Sequence, residues 1–570
     1  MATYYVSVTG DNSGNGSQAA PWRTISKAMW ALEPGDEVVV GSGTYNEFVR
    51  IAKSGTADAY ITIRSAEEGG ARIVPPESAD FGVHIQGDYV KLDGFEVSGA
   101  KRAGITTNLA HHIVISNNVS HDNGGHGISA TRSDYVTISG NVTYDNARTG
   151  PYSGISVFHP ENITGNTSDT GFRIIVRDNV SYGNLTRTGP HSDGNGIIMD
   201  DFRSTQDPER APYLFRSLVE NNLVYDNGGK GIQVDWTDYV TVRNNTAYHN
   251  NVDQLSGGTW HGELSNMNSS HNVWVNNLAV ADPAITGNNT AIDNTSHAGY
   301  VNSDNVWQSN LTFNGTPGEA SIRNAGGNAT LTVQDGNLLG VNPLLVNPPQ
   351  NFRLDPDSPA IDRGTRDHGN VAHDLYGNQR TGAIDIGAHE AGSSDPSGNN
   401  YLLGGPGANS QYGYAGDDTL MGLAGSDSLR GGEGNDSLDG GGGSDFLDGG
   451  KGKDLLDGGE GRDVLLGNVG RDRFVFRAVS ETGTGAEADE IRDFSRADGE
   501  KIDLRDIDAN TRAYGDQAFS FIADAAFSKT PAELRYHDGV VAGDVNGDRV
   551  ADFEIVIANQ ADLGAGDFLL

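Results

Sequence analysis

The stretch VISNNVSHDN (114–123) returns, altered but recognisable, as TISGNVTYDN (137–146), IVRDNVSYGN (175–184), LVENNLVYDN (218–227), TVRNNTAYHN (241–250) and WVNNLAVAD (274–282). Each time a short β-branched strand ends at an asparagine and a second short strand follows. The equivalent asparagines are Asn118, Asn141, Asn179, Asn222, Asn245 and Asn277, at spacings of 23, 38, 43, 23 and 32 residues. A base period of 23 with insertions at fixed points is what the coils of a solenoid give. Apolar residues alternate inward. Asparagine at one corner is expected to take the left-handed conformation and to hydrogen-bond the asparagine of the next coil. The spacing therefore predicts a parallel β-helix over 1–392, with an amphipathic helix at Thr24 to Leu32 capping its open end. A β-sandwich would need hairpin turns between the strands, and none is evident.

Coils of a solenoid differ in their loops, so insertions mark a working face. The two widest intervals carry the same phrase, Arg148-Thr-Gly-Pro-Tyr152-Ser-Gly and Arg187-Thr-Gly-Pro-His191-Ser-Asp193-Gly. After each corner a strand opens with glycine: Gly127, Gly154, Gly196, Gly231 and Gly262. Stacking these glycines puts His126, Ser153, Asn195, Lys230 and His261 in one column. Four residues on stand Thr131, Phe158, Asp200, Asp235 and Asn266; the next column holds Arg132, His159, Asp201, Trp236 and Met267. With coils about 4.8 Å apart, His191, Asp193, Asp200, Asp201, Lys230, Asp235 and His261 are expected to gather on three neighbouring coils.

Beyond the solenoid, seven consecutive nine-residue repeats run from Gly413 to Val475 without insertion: GYAGDDTLM, GLAGSDSLR, GGEGNDSLD, GGGGSDFLD, GGKGKDLLD, GGEGRDVLL and GNVGRDRFV. Their aspartates are Asp418, Asp427, Asp436, Asp445, Asp454, Asp463 and Asp472, each followed two places later by an apolar residue. This is the calcium-binding pattern of a parallel β-roll. Glycines permit the tight left-handed turns. The aspartates form a column that repels itself unless a divalent cation is present. A weaker turn from Gly404, with Asn409 in the aspartate slot, is expected to precede the stack. Linker 393–403, roll 404–476 and terminal segment 477–570 complete the division. In the last, Asp544-Val-Asn546-Gly-Asp548 through Asp552 is either one more calcium loop or a surface turn; it departs from an EF-hand in its glycine position and in Ile555.

Composition narrows the function. Cysteine is absent, which excludes disulfides, a thiol nucleophile and a cysteine zinc site. The net charge of −37, from 39 basic and 76 acidic residues, argues against a nucleic-acid partner. No run is apolar and long enough to span a membrane. The start MATYYVSVTGDNSG shows neither basic n-region nor apolar h-region, so no N-terminal signal peptide is expected.

The β-roll followed by FVFRAVSETG (474–483), DEIRDFSRADGEKIDL (489–504) and a terminal DFLL is similar to the RTX family. That resemblance implies secretion to the extracellular space by a type I ABC transporter reading an uncleaved C-terminal signal. The front segment, with PGDEVVVGSGTYNE (34–47), resembles right-handed β-helix polysaccharide lyases, especially family nine pectate lyases. The two resemblances together imply an all-β chain, a right-handed parallel β-helix followed by a calcium-binding RTX β-roll. Asp193-Gly-Asn195-Gly-Ile-Ile198 resembles the family's DGNGFK motif, with Ile198 where the catalytic lysine stands. The family's base therefore does not transfer.

The residue set suits β-elimination on a uronic-acid polysaccharide. That reaction neutralises the substrate carboxylate, removes the C5 proton and protonates the departing O4. Lys230 is the expected base and His191 or His261 the proton donor. Arg187 is expected to hold a carboxylate, and Asp200, Asp201 and Asp235 to hold an active-site calcium. Asp193 is a further catalytic candidate, with an Asx turn as its plain alternative. Tyr152, Arg148, Trp236 and His261 are candidate sugar contacts, with Trp260 as a further stacking aromatic. The alternatives are an alginate-type C5-epimerase, which shares the proton abstraction and for which His159-Pro-Glu161 is a weak pointer, an inverting hydrolase using Asp193, Asp200 and Asp201, or a non-catalytic adhesin.

Overall fold

The computed structural model describes residues 2–66, 69–256, 261–297, 300, 302–325, 331–349, 351–355, 357–369, 371–376, 380, 383–390, 401–403, 410–513 and 517–570. Trp260 and the turn from Gly404 to Asn409 lie outside them. The chain divides into two units. One is Met1–Leu345 with Leu354–Leu375 and Arg380–Ala391; the other is Val346–Arg353 and Tyr376–Gln379 with Gly392–Leu570.

The first unit is a parallel β-helix of three sheets. The first sheet has eleven strands, from Thr3–Val6 to Val306–Gln308. The second has ten, from Val49–Ile51 to Ile322–Asn324, and the third eleven, from Gly43–Tyr45 to Leu338–Leu339. Strands one coil apart pair in parallel, as in Ile113↔Val136 and Ile197↔Ile232. Alternation sends Ile128, Ile155, Ile197, Ile232, Leu264 and Ile292 into a continuous core, each fully buried. The helix forms at Ile25–Ala31, with Thr24 as N-cap accepting from Lys27 N, and it buries Ile25, Ala28 and Met29.

The asparagine ladder is present. Asn118 donates from both N and Nδ2 to Asn141 Oδ1 at 3.0 Å. The same pair of bonds recurs through Asn179, Asn222, Asn245 and Asn277, and continues to Asn310 and Asn337. These asparagines do not themselves adopt the left-handed conformation. The residue before each does: Asn117, Gly140, Asp178, Asn221, Asn244 and Asn276. That turn swings the following side chain inward, where it replaces the backbone partners a corner lacks. A second ladder, Asn123–Asn146–Asn184–Asn227–Asn250, stands at the next corner. It explains the glycine column. A Cβ at Gly127, Gly154, Gly196 or Gly231 would lie 2.7–2.9 Å from an amide nitrogen of this ladder.

In the second unit, two sheets of seven and nine strands continue the nine-residue register, Leu420↔Leu438 on one and Leu429↔Leu447 on the other. Leu420, Leu429, Leu438, Leu447, Leu456, Leu465 and Phe474 fill the space between them and are buried without exception. The roll opens at Tyr401–Leu403, which pairs with Thr419–Met421. Those residues belong to the roll and not to a linker. The loop at Asp544 is closed by its own backbone: Asp544 accepts Asn546, Gly547 and Arg549 N, and Asp552 accepts Val545 N. No helix among the described residues is long and apolar enough to cross a membrane.

Candidate active site

The second sheet presents its outward residues in rows. Asp200, at the end of strand Asn195–Asp200, is in register with Asp235 of Ile232–Asp235 on the next coil. Phe158 and Met267 flank the pair. Two residues earlier runs the row Ser156, Ile198, Gln233, Ser265 and Asp293. Lys230 stands at the corner before its strand. Its N–H donates to Asn195 Oδ1 at 2.8 Å, and Asn195 Nδ2 donates to Gln233 Oε1 at 2.9 Å. Asn268 Nδ2 reaches Asp235 Oδ1 at 3.3 Å.

Electrostatics ties these groups together. Lys230 is only 8% exposed, and its charge is felt by Asp193, Asp235 and Asp293. Burial pushes the Asp200 carboxyl up to about 8, with Asp235, Asp193 and Asp201 adding to the rise. Burial likewise raises Asp235 to about 7 and Asp293 to about 6, and it raises Asp193 against the pull of Lys230 and Asn195. Asp293 is fully buried, and neither of its oxygens accepts a well-formed hydrogen bond. Asp200 and Asp235, carboxyls held this high on adjacent coils, are a pair that a hard divalent cation would relieve.

His191 lies beside this corner. Its Nδ1 meets Asp253 Oδ2 at 2.6 Å, and Asp253 N donates to Gly228 O at 3.2 Å. Trp236, directly after Asp235, takes Tyr300 edge-on at 4.2 Å between ring centroids. Tyr152 meets His126 edge-on at 4.9 Å, and its carbonyl accepts Gly194 N.

Several expectations are corrected. Asp201 is not a partner of Asp200. It takes the left-handed corner, with φ 54°, in the column of Arg132, His159, Trp236 and Asn268. There it is fully buried. Its oxygens accept Thr205 N, Thr205 Oγ1 and Gln206 N, and His159 Nδ1 lies 3.5 Å away, so it fixes the loop after the strand. Arg187 pairs with Asp145 at 2.7 Å and Arg148 with Asp122 at 2.6 Å. Both acids follow third-sheet strands, so both guanidiniums are drawn to that corner. The two Arg-Thr-Gly-Pro phrases lie against each other, Arg187 N and Thr188 N both donating to Arg148 O. His261 is displaced by one place. Leu264 pairs with Ile232, so Gly262 stands level with Lys230, and Met267 rather than Asn266 stands level with Asp235. Glu263 takes the glycine slot and ends the second ladder, accepting Asn250 N and Nδ2 at 3.0 and 2.6 Å. Asp293, Gln233, Asn268, Asp253 and Tyr300 escaped the sequence reading. The outward register, continued one coil past Gly262, is the signal that leads to Asp293.

In the roll, Oδ1 of Asp436, Asp445, Asp454, Asp463 and Asp472 accepts the N–H of the aspartate one coil earlier, as Asp436 Oδ1 does from Asp418 N at 2.8 Å. Oδ2 of Asp436, Asp445, Asp454, Asp463 and Asp472 is buried without a partner. Five repeated unpartnered oxygens in one register fit calcium, which Asp418, Asp427, Asp436, Asp445, Asp454, Asp463 and Asp472 would hold.

Residues 4–268 match the family model of the Pel9A-like right-handed β-helix region. Residues 397–429, 412–447 and 439–474 match the RTX calcium-binding nonapeptide repeat. The chain is similar to pectate lyase L of Dickeya dadantii (strain 3937), at 24% identity over 320 residues, 48% of this chain and 72% of that protein. It is also similar to pectate lyase L of Dickeya chrysanthemi, at 23% over 338 residues, covering 52% and 76%. Among solved structures it resembles pectate lyase Pel9A, with TM-score 0.42 and 18% identity over 68% of this chain and 96% of that one. A mannuronan C-5 epimerase A-module of Azotobacter vinelandii gives TM-score 0.34 and 17% identity over 56% and 88%. Asp293 lies beyond the matched β-helix region.

Proposed function

We propose that this chain is an extracellular, calcium-dependent lyase that cleaves an acidic polysaccharide by β-elimination at the Asp200–Asp235–Lys230 cluster. The observation that carries the reading is a buried lysine whose charge acts on Asp193, Asp235 and Asp293, on an outward-facing sheet of a lyase-like β-helix. Asp200 and Asp235 are the residues that would hold an active-site calcium, with Asp193 beside them. When bound, the ion would neutralise the substrate carboxylate and so acidify the C5 proton. Lys230 Nζ takes that proton. His191, kept in place by Asp253, returns a proton to O4 as the glycosidic bond breaks. Trp236 and Tyr300 offer ring faces to a sugar next to Asp235. Arg187 has no part in this scheme, because Asp145 holds it elsewhere. Export by a type I ABC transporter accompanies this reading, on the strength of the RTX repeats.

A second reading has its own support. Two outward carboxyls on adjacent coils, held near 8 and 7, are suited to protonating a leaving group, which is the acid half of an inverting hydrolase. One experiment separates the readings. The chain is incubated with pectate, alginate and other uronate polymers in calcium, and unsaturated ends are followed by ultraviolet absorbance. Rising absorbance is expected. New reducing ends without it would replace elimination by hydrolysis, and altered uronate stereochemistry without cleavage would indicate an epimerase. No change on any uronate polymer would overturn the catalytic reading.

A further inference from the structure

The nonapeptide repeat ends at Val475, but its ladder does not. Within the repeats, Arg473 N donates to Asp454 O at 2.8 Å. Beyond them, Glu490 N donates to Asp463 O and Lys501 N to Asp472 O, both at 2.9 Å. Glu490 pairs with Val464, and Lys501 with Arg473. By this register Asp489 takes the aspartate slot of one column and Glu500 that of the other, across insertions that break the nine-residue period. The core follows the same rule: Ile491 and Ile502, each two places after the acid, are fully buried in line with Leu465 and Phe474.

Asp489 repeats the hydrogen bond of the repeat aspartates, and Glu500 brings a buried carboxylate to the other column. Asp489 Oδ1 accepts Asp463 N at 2.7 Å, as Asp463 Oδ1 accepts Asp445 N at 2.8 Å. Glu500 is fully buried. Its Oε2 accepts Ser495 N at 2.7 Å, and its Oε1 has no partner. Beside it Asp472, 1% exposed, also keeps Oδ2 unpartnered, and the two carboxyls are within hydrogen-bond reach of each other. Two buried carboxylates do not face one another without a cation or a proton between them. A glutamate is one methylene longer than the repeat aspartate. It reaches the column from a backbone that an insertion has already carried away from strict repeat geometry.

We propose that Glu500 and Asp472 form a further calcium site outside the repeats, and that the ion held there fastens the terminal segment to the roll. Asp489 keeps the other column in register at the same end. The segment 489–504 is thus ordered by calcium together with the repeats, because its buried acid has no other counter-charge.

The test uses the full chain. Glu500→Gln keeps the shape and removes the charge, and Asp524→Asn, at an exposed position, serves as the charge control. Bound calcium is counted by equilibrium dialysis, and amide exchange is followed over 413–475 and 489–504. The expected result is one ion fewer in Glu500→Gln than in the native chain or Asp524→Asn, with protection lost over 489–504 and kept over 413–475. An unchanged calcium count in Glu500→Gln would overturn the proposal. If Glu500→Gln does not fold, the native chain decides. Protection of 489–504 that appears together with that of 413–475 as calcium is added supports the site; full protection of 489–504 in chelator overturns it. Neither measurement depends on catalysis, so the site stands or falls apart from the lyase reading.

Discussion

Asp200 and Asp201 are neighbours in sequence with opposite fates. Asp200 ends a strand and faces outward beside Asp235, whereas Asp201 turns through φ 54° and closes a loop. Alternation along a strand legibly separates their faces. The left-handed corner that removes Asp201 was hidden, because aspartate serves equally as a ligand and as a corner residue. The corner position of Lys230 was legible from its column, while the pairing of Arg187 was not, since Asp145 is brought to it only by the third-sheet corner. Two predictions follow at this scale. Lys230→Ala is expected to lower kcat/KM on the preferred polymer about 100-fold or more, with the thermal midpoint of the β-helix retained. Asp201→Ala strands the Thr205 and Gln206 amides and is expected to cost about 1–3 kcal/mol. It should appear as a lower urea midpoint at constant slope.

At the scale of the element, the ladder was the most legible feature, because one residue type recurred at one place in every coil. Its length was underestimated: Asn310 and Asn337 extend it where the flanking strand sequences have diverged. The glycine column was legible too, but its cause lay in the second ladder, which no single coil reveals. For the same reason Gly262 misled the register, since Glu263 occupies the slot where the ladder ends. Asn222→Ala leaves Asn179 N without its acceptor and removes one of the three that Asn179 Nδ2 has. It is expected to destabilise the β-helix by about 1–3 kcal/mol, measurable by denaturant titration. Gly196→Ala places a methyl 2.8 Å from Gly231 O and 2.9 Å from Asn227 Nδ2. It is expected to lower the thermal midpoint, and a larger residue there to lower it further.

Across the whole molecule, the excess of acid over base is a statement about cations. Burial raises Asp436, Asp445 and Asp472 to about 6, Asp454 and Asp489 to about 7 and Asp463 to about 8. A carboxyl whose folded value exceeds its unfolded 3.8 holds its proton more tightly when folded. Without calcium, the roll is therefore expected to be most ordered in acid, near the unfolded carboxyl range. It should lose that order as pH rises through 6 to 8, as followed by circular dichroism in chelator. Calcium replaces the protons and is expected to abolish the loss. Chelation at neutral pH should accordingly melt the roll while the β-helix keeps its own transition in calorimetry; a single transition unmoved by chelator would contradict this. The seven repeats of the roll were legible because each nonapeptide states its turn, ligand and core residue in fixed order. Asp489 and Glu500 were not, because insertions erase the period while the hydrogen bonds preserve the slot.

The paired asparagine ladders make each coil between Asn123 and Asn250 an interchangeable unit of construction. Excising Val119–Asn141 would hand Asn118 to Asn179 and Asn123's place to Asn146, with identical donors meeting identical acceptors. Duplicating that span would do the reverse. The outward sheet can thus grow or shrink by whole-coil duplication or deletion in the gene, its chemistry varying independently through the loops, without a new fold having to arise.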